Sequence, residues 1–314
     1  MITGGAKGIG WATAQALLKT GAIAVLFDRD EAALAVAHEA LTRQGVEHFT
    51  HQVDITIEAA VDAAFANVAA RYGRIDVLVN NAGIALRHPT VELSRADWQA
   101  VLDVNLTAVF LCCRAAARLM LPARRGAIVN VASIMGLSGG GLYPNLSYQS
   151  TKGAIVNLTR ALAVEWAGQG LRVNAVAPTW VRTDLTQGLF NNPKLLNRIL
   201  DMTPMRCLAE PAELIVDLRL EQLPCKVQIG HGDAAVSSSL PLREEPLEHA
   251  VDDLALPARI ERHFVFRLFL EAEDVLREEP EGTAQKCLDG ADRPRAVTLR
   301  AGVAVAVEMP KCSL

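Results

Sequence analysis

Tyr148 and Lys152 stand four positions apart in a stretch patterned as a helix, so a phenol and an ammonium share one face. Ser133, at the end of an apolar run, can bring a hydroxyl to the same place. A phenol with its ordinary pKa of about 10 is a poor base at neutral pH. A neighbouring ammonium favours the phenolate and brings it toward working pH. Such a group takes a proton from an alcohol or returns one to a ketone oxygen. Ser133 can donate to that oxygen while its bond order changes. Asn105, in the helical pattern Val104–Phe110, can hold a water that joins Lys152 to solvent, or make a local polar contact within the helix.

Far upstream lies Thr3-Gly-Gly-Ala-Lys-Gly-Ile-Gly10. Gly4, Gly8 and Gly10 let a loop turn tightly into a helix and bring backbone N–H groups close to a pyrophosphate. Asp28 follows 18 residues beyond Gly10, where its carboxylate can accept hydrogen bonds from adenosine ribose hydroxyls. Like charge there disfavours a 2'-phosphate, so NAD is expected; NADP stays open, because Lys7 or Arg29 would neutralise a phosphate if it pointed inward. Asp54 is suited either to the adenine amino group or to capping the next helix. Asn80-Asn-Ala-Gly83 can turn beneath a cofactor without obstructing it. Thr183 can bind a nicotinamide amide or form a simple ST-turn. Lys152 can also reach the nicotinamide ribose, and a positive nicotinamide ring would further favour phenolate at Tyr148. These residues together predict hydride transfer between a nicotinamide nucleotide and an alcohol or ketone.

The elements that must position these groups alternate short apolar runs with longer helical patterns from residue 1 to about 211, the signal of a parallel sheet covered by helices on both faces. Strands are predicted over Ala22–Phe27, His48–Val53, Ile75–Asn80, Gly126–Val131 and Leu171–Ala175. Helices are predicted over Trp11–Thr20, Glu31–Arg43, Ala59–Tyr72, Arg95–Leu121 and Tyr148–Ala167. Only Met1-Ile2 precede the glycine turn, where a buried strand of about five residues belongs. The expectation is a first strand lost or shortened by a late start.

Of the 314 residues, 51% are hydrophobic and 21% charged, as in a folded soluble protein. A formal charge of -4 provides no broad field for nucleic acid. No apolar run approaches the roughly 20 residues of a membrane span, and the N-terminus shows no signal-peptide pattern. The six cysteines include no C-x-x-C, which fits reduced thiols in the cytoplasm, and no cluster has metal-ligand spacing.

In these motifs the chain resembles the short-chain dehydrogenase/reductase family in its single-domain Rossmann form. The resemblance rests on the glycine motif, Asn80-Asn-Ala-Gly83, Asn105, Ser133, Tyr148-Gln-Ser-Thr-Lys152 and Pro178-Thr-Trp-Val-Arg-Thr183, and it covers residues 1–215. It implies a three-layer, doubly wound fold with a seven-stranded parallel sheet, and a catalytic tetrad of Asn105, Ser133, Tyr148 and Lys152. Cofactor contacts carry over to Gly4, Lys7, Gly8, Ile9, Gly10, Asp28, Arg29, Asp54, Asn81, Ala82, Gly83, Tyr148, Lys152, Pro178 and Thr183. Homodimers or homotetramers are the assemblies implied. Polyol, sugar or sugar-acid dehydrogenases are the nearest pattern, with an NADP-dependent 3-oxoacyl-carrier-protein reductase and an inactive dinucleotide-binding module as alternatives.

The pattern also breaks. Thr179 replaces a glycine common in the family's Pro-Gly sequence, and beyond Glu210-Pro-Ala-Glu213 the family's last core strand looks absent. Residues 216–314 hold half of the fourteen prolines and lose the strand-helix rhythm. They read as an appended domain, poorly ordered sequence or sequence out of frame, with a helix over Ile260–Glu273 and strands in Ala296–Glu308 as local candidates. The substrate opening is expected between Gly139–Ser147 and Thr186–Met205, rimmed by Met202 and Met205. Asn145, Gln149 and Asn192 are candidates to meet substrate hydroxyls, and Trp180 to touch substrate. Trp98 and Trp166 are expected in helix packing, and His88 in a loop.

Overall fold

The computed structural model describes residues 1–214 and 227–229. Seven parallel strands lie in the order β3-β2-β1-β4-β5-β6-β7. They are β1 Ile2–Thr3, β2 Ala24–Asp28, β3 His48–Gln52, β4 Val77–Asn80, β5 Gly126–Val131, β6 Leu171–Ala177 and β7 Val227–Ile229. The helices are α1 Gly8–Leu18, α2 Glu31–Arg43, α3 Glu58–Tyr72, α4 Arg95–Leu102, α5 Ala108–Met120, α6 Leu146–Ala167, α7 Asp184–Phe190 and α8 Pro193–Met202. The doubly wound architecture read from the alternating pattern is the one observed.

Period-two alternation explains the three layers. Phe27, Leu78 and Ile128 join Phe65 of α3, Met120 of α5 and Ile155 of α6 in one core. Their sequence neighbours Leu26, Val79 and Val129 join Leu34 and Leu41 of α2 on the opposite face. Each of these large side chains contributes about 1.5–3 kcal/mol by leaving water. Buried amides tie the first core to the sheet: Asn80 Nδ2 donates to Asn130 Oδ1 at 2.9 Å, and Asn130 Nδ2 donates to Thr159 Oγ1 at 3.0 Å.

Of the two expectations for the first strand, the shortened strand is observed and its loss is not. Strand β1 is present, central and two residues long, with Ile2 and Thr3 registered on Leu26 and Phe27 of β2 and on Val79 and Asn80 of β4. Met1 extends the pairing: its amine donates to Val77 O at 2.7 Å and its carbonyl accepts from Val79 N at 2.8 Å. The last core strand is also present, as β7, registered Ala175↔Val227 through Ala177↔Ile229. Three residues carry too little alternation to be read as a strand. The expectations for Ile260–Glu273 and Ala296–Glu308 lie outside the described residues.

The single helix predicted over Arg95–Leu121 is interrupted by a π-helical turn, Asp103–Thr107, in which Ala108 N–H reaches back five residues to Asp103 O. By length and composition Arg95–Met120 would suffice to cross a membrane. Here it is a core helix, with Ala108, Val109, Leu111, Cys112 and Ala116 buried.

Candidate active site

The strand order reverses direction between β1 and β4, which opens a crevice beyond their carboxyl ends, the usual place for a ligand in an open α/β sheet. A cavity of about 400 Å³ runs from Gly4, Gly8 and Asp28 to Ser133, Tyr148 and Lys152. Gly4 and Gly8 hold φ of 59° and 53°, the left-handed region, so the loop can expose its N–H groups at the start of α1. Gly10 serves packing instead. A Cβ there would lie 2.2 Å from Gly4 O and 2.6 Å from Asn81 Nδ2.

The nucleotide end is cross-braced. Asp28 Oδ2 accepts from Ala6 N at 3.2 Å and Oδ1 from Asp30 N at 3.1 Å, so the carboxylate fixes the glycine loop while lining the cavity. Lys7 is spoken for: its ammonium donates to Asp30 Oδ2 at 2.6 Å. Arg29 and Ile9 line the cavity. Asp54 accepts from both the backbone N–H and the hydroxyl of Thr56, which hold its carboxyl below the ordinary range. It makes a local turn rather than the cap of α3, whose N-cap is Ile57. Asn81 Nδ2 donates to Thr3 O and Gly4 O, at 3.0 and 2.9 Å, and so clamps the loop from β4, while Ala82 and Gly83 line the floor. Pro178 and Thr183 form the far wall. Thr183 caps α7 in a reciprocal box with Thr186, whose hydroxyl also donates to Val181 O.

At the other end Ser133, Tyr148 and Lys152 line the cavity, and Asn105 Oδ1 and Lys152 Nζ both lie near Gly83. Ser133 leaves β5 in extended conformation, and its Oγ accepts from Met135 N at 3.1 Å. Its hydroxyl faces the Tyr148 phenol, and both line the cavity. Burial pushes the Tyr148 phenol up, while the Ser133 hydroxyl and the charge of Arg87 oppose that rise. Lys152 is 4% exposed, and burial pulls its ammonium down to about 8. Its Nζ donates to Val131 O at 2.5 Å and lies 5.6 Å from the Tyr148 ring centroid, so ammonium and phenol share the expected helix face. Asn105 does not bond within its own helix. Its Oδ1 accepts from Ile84 N at 2.8 Å, and its Nδ2 donates to Ile84 O and to Thr151 Oγ1 at 2.9 and 3.2 Å.

A smaller cavity adjoins Tyr148, lined by Arg87, Met135, Tyr143, Asn145 and Trp180 among others. Thr179, at the family's glycine position, lines both cavities. Arg87 Nη2 donates to Leu185 O at 3.0 Å, and its guanidinium stacks 5.4 Å from the Tyr143 ring centroid. Of the three amides expected near substrate, only Asn145 lines this cavity. Gln149 Nε2 points to Met135 Sδ at 3.8 Å, and Asn192 caps α8 through Lys194 N and Leu195 N. Met202 is exposed, His88 lies in a loop beside Asp97, and Trp166 is buried in the core.

Residues 4–215 match the family model described as Enoyl-(Acyl carrier protein) reductase. The chain belongs to the short-chain dehydrogenase/reductase family. It is 40% identical over 213 residues to the galactitol 2-dehydrogenase (L-tagatose-forming) of Cereibacter sphaeroides, which covers 68% of this chain and 83% of that one. It is 37% identical over 221 residues to the 3-oxoacyl-[acyl-carrier-protein] reductase of Synechocystis sp., with 70% and 86% covered. Among solved structures it is similar to a gluconate 5-dehydrogenase from Burkholderia cenocepacia J2315 in complex with NADP and tartrate, at 33% identity and a TM-score of 0.65, covering 68% and 83% of the two chains. As a short-chain dehydrogenase/reductase the protein is an NAD(P)-dependent oxidoreductase, and its substrate is a small-molecule alcohol or ketone.

The residues of this dehydrogenase/reductase fit such a cofactor. Positive-φ glycines, a carboxylate at the end of β2 and a hydroxyl on the far wall line one continuous cavity that reaches Tyr148. Sequence reasoning did not reach Arg87, Thr186 or Gly136. A Cβ on Gly136 would lie 2.4 Å from the carbonyl carbon of Lys152 and 2.6 Å from Gly153 N. That glycine therefore sets how closely the Ser133 turn rests on α6. The glycine pair Gly136 and Gly153 was a readable sign of a close backbone crossing, whereas Arg87 sits in a loop without periodicity.

Proposed function

We propose that the protein oxidises a secondary hydroxyl of a polyol, sugar or sugar acid with NAD, and reduces the corresponding ketone. The observation that carries this reading is the convergence of the Ser133 hydroxyl and the Lys152 ammonium on Tyr148, at one end of a cavity that begins at the glycine loop. When bound, the nicotinamide accepts the hydride in oxidation and gives it back in reduction.

The chain's own residues do the rest. Ser133 holds the substrate oxygen by donating to it, and Tyr148 as phenolate takes the hydroxyl proton. In reduction the same phenol returns the proton to the ketone oxygen. Lys152 supplies positive charge beside the phenol and a donor for the ribose, for which its ammonium must turn from Val131 O. Asn105, anchored on both sides by Ile84, fixes the floor beneath Lys152 and orders a water there.

Asp28, with Lys7 engaged by Asp30, supports NAD over NADP. Thr183, Pro178, Ile9, Asn81, Ala82, Gly83, Arg29 and Asp54 complete the cofactor contacts in this reading. A homodimer or homotetramer is the working assembly, supported by outward apolar side chains such as Phe110 on α5 and Val164 on α6. Buried, free Cys112 and Cys113 suit a reducing cytoplasm. Residues 1–215 are taken as the dehydrogenase domain, with β7 as an edge strand added from beyond it. A chain ended at 215 should then bind NADH but melt lower than one ended at 232, because it loses the β6 partner; equal melting temperatures would refute the contribution of β7.

The test is turnover of galactitol, gluconate and a 3-oxoacyl thioester by the full-length protein with NAD(H) and NADP(H). Oxidation of a polyhydroxylated substrate, abolished in Tyr148→Phe with NADH binding retained, is expected. Exclusive reduction of the thioester with NADPH would replace this reading with the acyl-carrier one. Unchanged turnover in Tyr148→Phe would remove that residue from its role.

A further inference from the structure

The cavity beside Tyr148 contains a buried amide with nothing to bond. Asn145 is 3% exposed, and neither its Oδ1 nor its Nδ2 has a hydrogen-bond partner. It stands at the N-cap of α6, where an asparagine side chain ordinarily accepts from the first free N–H groups of the helix. Here the side chain makes no cap bond. Only the backbone serves the helix, with Asn145 O accepting from Gln149 N at 3.0 Å. Buried polar groups in folded proteins are almost always paired, so an amide left free on both atoms marks a place where something else completes it.

The position says what that something is. Asn145 lines the same small cavity as Ser133 and Tyr148, the two groups that flank the reacting oxygen. Tyr148 lies in the first turn of the helix that Asn145 precedes, and both residues line this one cavity. An amide offers donors and an acceptor side by side, the complement of a hydroxyl, which also does both. Met135 and Trp180 give the same cavity apolar wall, so a substrate with one hydroxyl would meet hydrocarbon there and leave the amide unpaired.

We propose that Asn145 is a specificity-determining residue that binds the hydroxyl on the carbon next to the one being oxidised, so that the enzyme selects vicinal diols over simple secondary alcohols. The inference rests on the polyol reading above and sharpens it. A site built to pair with a substrate hydroxyl rejects the analogue that lacks it, because its own buried group is then stranded.

The experiment compares butane-2,3-diol with butan-2-ol, which differ by that one hydroxyl, using the full-length protein and NAD. In the wild type the ratio of kcat/KM should favour the diol. Asn145→Leu, close in volume and without polar atoms, should lower that ratio by about tenfold or more, and Asn145→Ser should restore part of it. With NADH present, the diol should also raise the melting temperature more than butan-2-ol does, a difference that disappears in Asn145→Leu. Should the leucine variant fail to fold by circular dichroism, the ratio in Asn145→Ser against wild type decides. A wild-type ratio near one, or a ratio unchanged in the folded variants, overturns the proposal. Oxidation of neither alcohol by the wild type overturns this inference, whereas the polyol reading falls only if galactitol and gluconate are not oxidised either.

Discussion

The ammonium of Lys152 donates to the carbonyl oxygen of Val131 across 21 residues of sequence, and this one bond joins the end of β5 to the first turns of α6. The bond holds a charge in a place where burial has pulled its pKa down to about 8.

That depression sets a pH dependence of stability. Unfolded, the amine titrates near 10.4; folded, it does so near 8. Below 8 both states carry the proton, and the folded state bears the full cost of the buried charge. Between about 8 and 10.4 the unfolded chain binds more protons, so stability rises with pH. The stability of the wild type relative to Lys152→Met should therefore climb across that window, by at most about 3 kcal/mol at roughly 1.4 kcal/mol per pKa unit. Urea unfolding of both proteins at pH 7.5, 9 and 10.5, without nucleotide, measures it. A constant difference would show that the ammonium is not desolvated.

Arg87 opposes the rise that burial imposes on the Tyr148 phenol. Replacing it by methionine removes the positive charge and leaves most of the packing over Tyr143. The acid limb of the kcat/KM profile for alcohol oxidation should then move to higher pH, by up to about one unit. A lowered rate at an unmoved midpoint would make Arg87 a packing residue only.

Gly136 and Lys152 meet backbone to backbone, so the alanine variant at Gly136 must push the Ser133 turn off α6. Overpacking of this kind costs about 1–3 kcal/mol. In a domain of this size that corresponds to a melting temperature lowered by about 2–4 °C per kcal/mol. Turnover should fall further than NADH affinity, because the displaced group serves the reacting end of the cavity and not the glycine loop.

Asp28 braces the loop and faces the nucleotide. Asp28→Ser keeps an acceptor but removes the charge. The preference for NADH over NADPH, measured as a ratio of dissociation constants by fluorescence titration, should drop by about tenfold. A ratio unmoved by the change would place cofactor choice elsewhere, with Arg29 the next residue to examine.

Much of this site was legible because its spacing is local. Tyr148 and Lys152 share a face by helix geometry alone, and the buried runs of β2, β4 and β5 announce themselves by composition. The rest depends on contacts between distant segments. Nothing near Arg87 in sequence says that it reaches Tyr143. Asn145, Gln149 and Asn192 are equivalent as amides, and only the fold reveals that two of them are already bonded. The π turn at Asn105 was hidden because Asp103–Thr107 holds no Gly or Pro to mark a break. Strands β1 and β7 are too short for periodicity to register, and their pairing partners define them.

The amide relay from Asn80 through Asn130 to Thr159 carries a consequence for how the chain finds this sheet. Apolar strands slide past one another at little cost during collapse, since one valine replaces another. A slip of β4 against β5 by a single position would turn Asn80 and Asn130 to opposite faces and bury each without its partner. Wrong registers are thereby made unstable, and the correct one is the state in which Asn80, Asn130 and Thr159 bond one another. The relay works as a proofreading device of assembly, placed immediately beneath the residues whose alignment the chemistry requires.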